Sequence, residues 1–165
     1  MNRVAVSAED VPLPGWGKSL KSFALKVLAR LGAENWDLSV LLCGDKTISA
    51  LNSGYRGKKG ATDVLSFSLG EGEQFPAGLS GGNRFLPGDI VISLDTLREN
   101  ARRYRIGEDE ELRRLLIHGI LHLNGMDHRS NTKDEPMIRL QEEILAELAG
   151  QRILPPNGSS GGGGR

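Results

Sequence analysis

Apolar residues along this chain switch between two spacings, and each switch marks an element. Between Trp16 and Leu31 they fall at Leu20, Phe23, Ala24, Val27, Leu28 and Leu31. That is the rhythm of a helix with one buried face, and Gly32 closes it. Trp36 to Cys43 alternates and then becomes wholly apolar, as a sheet strand does. Asp45 follows as the cap of a short helix through Ile48, Leu51 and Tyr55. Thr62 to Leu69 and Asp89 to Leu94 read as two more strands, and Val4 to Val6 as a short edge strand. A helix from about Leu94 to Tyr104 carries Arg98, Arg102 and Arg103. The next helix, Glu108 to Leu123, has four acids in its first turn, where the helix dipole favours them. Thr132 and Glu135 form a capping box for a last helix through Met137, Leu140, Ile144, Leu145 and Leu148, stopped by Gly150. Pro136 fits only its first turn.

Strands mixed with helices predict an α+β fold. It is a small mixed sheet of four strands covered by about five helices, with Glu108 to Leu123 a central, buried member. Residues 1–152 are expected to form a single domain, and residues 153–165 a disordered Gly/Ser-rich tail. Gly70 to Gly88 is a long Gly-rich loop containing Arg84, and a loop of that length in a compact domain is usually mobile or functional. No internal repeat is present.

Composition narrows the class. A chain of 165 residues has enough material for one real core. Its 21 basic residues equal its 21 acidic ones, so no global field draws it to nucleic acid or membrane, and any anion site must be local. A single cysteine, Cys43, excludes an intramolecular disulfide and fits a reducing cytosol. No signal peptide is expected at the start, and no apolar run approaches membrane-spanning length. The expected location is the cytoplasm.

All 3 histidines lie in one stretch, His118 to His128, reading His-Gly-Ile-Leu-His-Leu-Asn-Gly-Met-Asp-His. His118 and His122, four apart on a helix, stack on one face. Gly125 can end that helix in a left-handed cap, after which the reversing chain returns His128 towards the other two. Three neutral imidazoles converging on one point hold Zn²⁺ with a fourth position open, the mark of a catalytic rather than a structural site. Cys43 lies far off in an apolar run and reads as core. Asp127 is placed either as an acceptor for a ligand's free N–H or as a turn-former. Nickel and other divalent ions also suit such a site.

The spacing is that of the metzincin proteases with one residue of the pattern missing. Those enzymes carry a general-base Glu directly after the first His, where this chain has Gly119. The ligand geometry therefore resembles a metalloprotease and the catalytic apparatus does not. A trihistidine ion still lowers the pKa of bound water to about 7 and can act as a Lewis acid on a phosphoryl oxygen. Arg56 is the candidate for stabilising the negative charge that develops, with Lys58 and Lys59 extending an anion-binding patch. A solvated basic turn is the equally weighted alternative.

The histidine stretch resembles the signature of the YbeY family of bacterial rRNA-maturation endoribonucleases. Leu51-Asn52 with Tyr55-Arg56, Thr62 to Phe67, and Gly88-Asp89-Ile90 match in the family's order, over about residues 36–148. Met126 stands where the family usually has Tyr, and Ser68 where Pro is usual. The resemblance implies a zinc-dependent, single-strand-specific endoribonuclease acting in 16S rRNA 3′-end maturation and ribosome quality control. It also implies that Arg56 and His118 matter for cleavage, that the cleft is positively charged, and that ribosomal proteins or GTPases are partners. Two other readings compete: a metal-dependent hydrolase of another substrate, such as a peptide, and a non-enzymatic ribosome-assembly factor whose metal fixes the fold. The open coordination position argues against the assembly factor, and Arg56 with its lysines against a peptide.

Overall fold

The computed structural model describes residues 1–56, 60, 62–68 and 85–156, with Tyr55, Arg56 and Ser68 described through the backbone alone. Four strands, β1 (Arg3–Glu9), β2 (Asp37–Cys43), β3 (Val64–Ser68) and β4 (Gly88–Ser93), form one sheet in the order β1-β2-β4-β3. β1, β2 and β4 run parallel, and β3 pairs antiparallel to β4 at the far edge. The described helices are α1 (Gly17–Arg30), α2 (Asp45–Arg56), α3 (Leu94–Tyr104), α4 (Glu108–Leu123) and α5 (Pro136–Glu147). This is the expected mixed α+β architecture.

Strand alternation sorts the apolar residues onto two faces. Leu38, Val40 and Leu42 of β2 and Ile90 and Ile92 of β4 join α1, α4 and α5 in the main core. Cys43, Leu65 and Val91 point the other way and are covered by Ile48 and Leu51 of α2. Cys43 is fully buried, and burial pushes its thiol up to about 12, so it packs as a small apolar group.

α4 has the bounds its pattern predicts and lies against β3 and β4. Gly119 makes this approach possible. A Cβ added there would stand 2.9 Å from Ile90 Cγ2 and 3.0 Å from Ile90 Cδ1, so helix backbone and strand side chain meet with nothing between them. Ser66 of β3 adds an Oγ contact of 3.4 Å to the Gly119 carbonyl. Gly119, which the sequence marks as a missing base, is a packing requirement.

Two caps differ from expectation. Asp45 does not cap α2; its Oδ1 accepts from Ser93 Oγ and Thr96 Oγ1. Asp10, just beyond β1, takes that role by accepting from the Gly44 and Thr47 N–H groups at 2.5 and 2.8 Å. The Thr47 hydroxyl also donates to Asp10 and holds its carboxyl below the usual range. At α5 the N-cap is Glu135, with no side-chain cap hydrogen bond, and Pro136 is the first helical residue. A capping box with Thr132 as cap would put Pro136 at the fourth helical position, where its ring would crowd the preceding turn. Proline at the first position wins.

The folded chain also passes the boundary expected after residue 152. Ile153 is buried, and Asp109 Oδ1 accepts from the Ile153 and Leu154 N–H groups at 2.7 and 2.8 Å. Asp109 Oδ2 meanwhile holds Arg113 Nε at 2.8 Å, so every partner of this buried carboxylate is inside the protein. Residues 69–84, most of the long Gly-rich loop including Arg84, and 157–165 lie outside the described residues.

Gly119→Ala should lower stability by about 1–3 kcal/mol through overpacking. Urea denaturation of Gly119→Ala, Ile90→Val and the double variant checks this. Ile90→Val should return part of the loss, and purely additive effects would show that the two positions do not press on one another.

Candidate metal centre

α4 places Glu111, Arg114, Leu115, His118 and His122 along one stripe, and all of them line a cleft of about 1110 Å³. The helix then ends as Gly125 turns left-handed at φ 93°. The Gly125 N–H bonds back to the His122 carbonyl and the Met126 N–H to the Leu121 carbonyl. This reversal returns His128 to the stripe. Ring centroids lie 4.7 Å apart for His118 and His122, 4.9 Å for His118 and His128, and 5.2 Å for His122 and His128.

The hydrogen bonds behind the rings decide which nitrogens face inward. His122 Nδ1 lies 3.1 Å from the Met126 carbonyl and His128 Nδ1 lies 2.8 Å from the Ser130 carbonyl. A carbonyl only accepts, so both Nδ1 atoms carry the proton. His118 Nδ1 is 2.6 Å from Gln141 Oε1. Gln141 spends its amide N–H on Glu142 at 3.0 Å, so its oxygen faces His118 and accepts there too. Each neutral ring then presents a bare Nε2. The Nε2 atoms of His118 and His122 stand 3.1 Å apart, close to the roughly 3.3 Å expected of two ligands on a tetrahedral ion with Zn–N near 2.0–2.1 Å. Bare lone pairs so close repel one another unless a cation or a proton lies between them. One ligand atom from each of the three rings falls within 4.8 Å of the others, and the set can hold a metal ion.

Burial, above all, pushes the pKa of His118 down; Gln141 and Asp63 oppose it and His128 adds to it. Burial comes first for His122 as well, with His118 next. Both shifts favour the neutral imidazole that a metal needs.

A polar network not anticipated from the sequence lies beside the rings. Arg114 grips Glu142 through Nε at 2.9 Å and Nη2 at 3.1 Å, and pairs with Glu110 at 3.1 Å and Glu111 at 3.5 Å. Burial alone would raise Glu142, but hydrogen bonds from Arg114 and Gln141 outweigh it and hold the carboxyl below its usual range. Glu111 goes the opposite way, raised by burial, against the pull of Arg114 and with help from Asp63. Gln141 was legible in principle. It falls among Met137, Ile138, Ile144 and Leu145 on the buried side of α5, and a polar side chain there needs a partner.

The other sequence candidates are placed as follows. Asp127 Oδ1 accepts from the His128 backbone N–H at 2.8 Å, so it shapes the turn, and the three ring N–H groups are met by Gln141, Met126 and Ser130 instead. Arg56 is the last residue of α2, and Thr62 and Asp63, a little further along the chain, line the cleft. Lys58 and Lys59 lie outside the described residues.

A family model described as Endoribonuclease YbeY matches residues 8–149. The chain belongs to the YbeY family. The YbeY endoribonuclease of Treponema pallidum strain Nichols is 46% identical over 147 residues, covering 89% of this chain and 90% of that protein. That of Treponema denticola is 45% identical over 154 residues, covering 92% and 97%. The solution structure of TM1509 from Thermotoga maritima superposes with a TM-score of 0.55 at 26% identity, covering 89% of each chain. Among the described residues no helix of this YbeY protein is long and apolar enough to cross a membrane.

Two outcomes are expected here. Gln141→Leu should weaken metal binding by about 10–100-fold, as loss of a partner behind a ligand does; competition against a chromogenic chelator measures it. Metal-free protein should lose stability as pH falls. The folded pKa of His118 and His122 lies below the unfolded value near 6.5, so the unfolded chain takes up protons first. Their contribution is complete above that value and declines below it. Urea midpoints of chelator-treated protein at pH 7.5 and 5.5 check this, with His118→Ala/His122→Ala expected to show a flatter dependence.

Proposed function

We propose that this YbeY protein is a zinc-dependent endoribonuclease that cuts single-stranded RNA in the cytoplasm, acting in 16S rRNA 3′-end maturation and ribosome quality control. Ribosomal small-subunit and assembly proteins are its expected partners. The convergence of three bare Nε2 atoms in an open cleft carries the reading, and the name shared by its curated relatives supports it.

A divalent ion held there, zinc or another such as nickel, would supply Lewis acidity toward a water and a phosphoryl oxygen. The chain supplies the rest. His118, His122 and His128 would hold the ion, and Gln141 with the Met126 and Ser130 carbonyls keeps each ring in the tautomer that would ligate it. Arg56 would meet the phosphate with a permanently charged fork, and Lys58 and Lys59 would extend the anion site. The peptide-hydrolase reading is weakened because Gly119 stands where the metzincin base would be and offers no carboxylate.

Purified zinc-loaded protein should cut a single-stranded RNA and leave a duplex intact, and His118→Ala/His122→Ala should abolish the cut. Casein should survive. Cleavage that persists in the double variant would sink the metal mechanism. Arg56→Ala should slow cleavage at saturating RNA by roughly a hundred- to a thousand-fold, the usual cost of losing one such donor. Arg56→Lys should recover only part. Melting temperature and metal content should stay near the parent's; a collapse of stability would make Arg56 a structural residue.

A further inference from the structure

The inner cleft is poorly suited to a polyanion. Asp63, Glu111, Asp127 and Glu142 line it, and its guanidinium, Arg114, is already shared among Glu110, Glu111 and Glu142. Phosphates leading to the metal centre must therefore be met at the rim.

The end of α3 supplies what the interior lacks. Tyr104 lines the cleft and is 61% exposed, one of few large apolar side chains left in water. Arg102, Arg103 and Arg105 surround it in sequence, and all three are exposed. Among the described residues they make no ion pair, whereas Arg98, one turn earlier, is engaged by Asp95 and Glu108. An exposed ring flanked in sequence by exposed guanidiniums that make no ion pair among the described residues is the chemistry that holds single-stranded nucleic acid, bases on the ring and backbone on the cations. Lys133 adds a cation to the same cleft's lining.

We propose that the C-terminal end of α3 is a docking platform for single-stranded RNA, with Tyr104 stacking on one unpaired base and Arg102, Arg103 and Arg105 holding flanking phosphates. The platform feeds the strand towards the three histidines, and it rests on the endoribonuclease reading above. It selects single strands, because bases in a duplex are stacked on one another and offer no face to the ring.

The test is equilibrium binding of a fluorescein-labelled twelve-nucleotide oligouridylate to the full chain carrying His118→Ala/His122→Ala, the background in which cleavage is abolished and into which each variant below is introduced, by anisotropy across a salt series. A gel at the end shows that the RNA is intact. Tyr104→Ala should weaken binding by roughly 5–100-fold, the range typical of one base–aromatic stack, and Tyr104→Trp should retain it. Arg102→Gln/Arg103→Gln/Arg105→Gly should flatten the dependence of log affinity on log salt by about 0.7 for each phosphate no longer neutralised. Glycine is chosen at Arg105 because that residue caps α3 in a left-handed conformation, φ 56°, so melting temperature should hold or rise. A duplex of the same length should be insensitive to Tyr104→Ala. Parental affinity and salt slope in both variants would overturn the platform while leaving the endoribonuclease reading standing. Equal loss for duplex and single strand would also overturn it, leaving a nonspecific basic patch. A parent protein that binds no single-stranded RNA would remove both proposals.

Discussion

One bare stretch of helix backbone, at Gly119, sets the position of everything else. Its contact with Ile90 seats α4 against the sheet at a depth where any added Cβ would press on the Ile90 side chain. At that depth the apolar face of α4 completes the main core. The polar stripe on its other side stays half-buried, facing a cleft bounded by Thr62 to Ser66 and by α5. The burial that keeps His118 and His122 neutral follows from the same seating. Structural and chemical demands thus fall on adjacent residues: Gly119 packs against Ile90, and His118 belongs to a cluster that can hold a metal ion.

The polar groups around the rings form a chain of single-purpose bonds. Arg114 occupies the Glu142 carboxylate, Glu142 takes the Gln141 amide N–H, and Gln141 is left with an oxygen to show His118. Each link removes an alternative for the next, so the tautomer at the metal centre is fixed by a guanidinium on the same helix one turn earlier. Arg114 is therefore committed to organising the site, which is why cations for an anionic ligand have to be sought elsewhere.

Periodicity revealed α4 to the residue, the four strands and the sheet's mixed character, because each of those elements buries one regular face. The trihistidine cluster was equally legible, since three ligands within one helix and its turn need no knowledge of tertiary structure. What failed was long-range. Asp45 looks like a cap because it precedes a helix, yet Asp10 reaches across from β1 and frees Asp45 to bind Ser93 and Thr96. Thr132 looks like a cap until Pro136 claims the first helical position. Gln141 passes for one more polar residue until α5 packs beside the histidines. Asp127 is nearest in sequence to a ligand, but it serves the backbone of its own turn.

The bond from Asp109 to the backbone of Ile153 and Leu154 bears on synthesis. A ribosome delivers residues in order, so α4 emerges well before the segment that satisfies the carboxylate at its first turn. Until then Asp109 has Arg113 but lacks the two N–H groups that permit its burial. Gln141 also arrives after the histidine it orients. The nascent chain can pair β1 with β2 and roll α1 onto the sheet early, but the histidine cluster gains its Gln141 partner only after α5 has emerged. Orientation of the His118 ring is thereby coupled to the folding of α5.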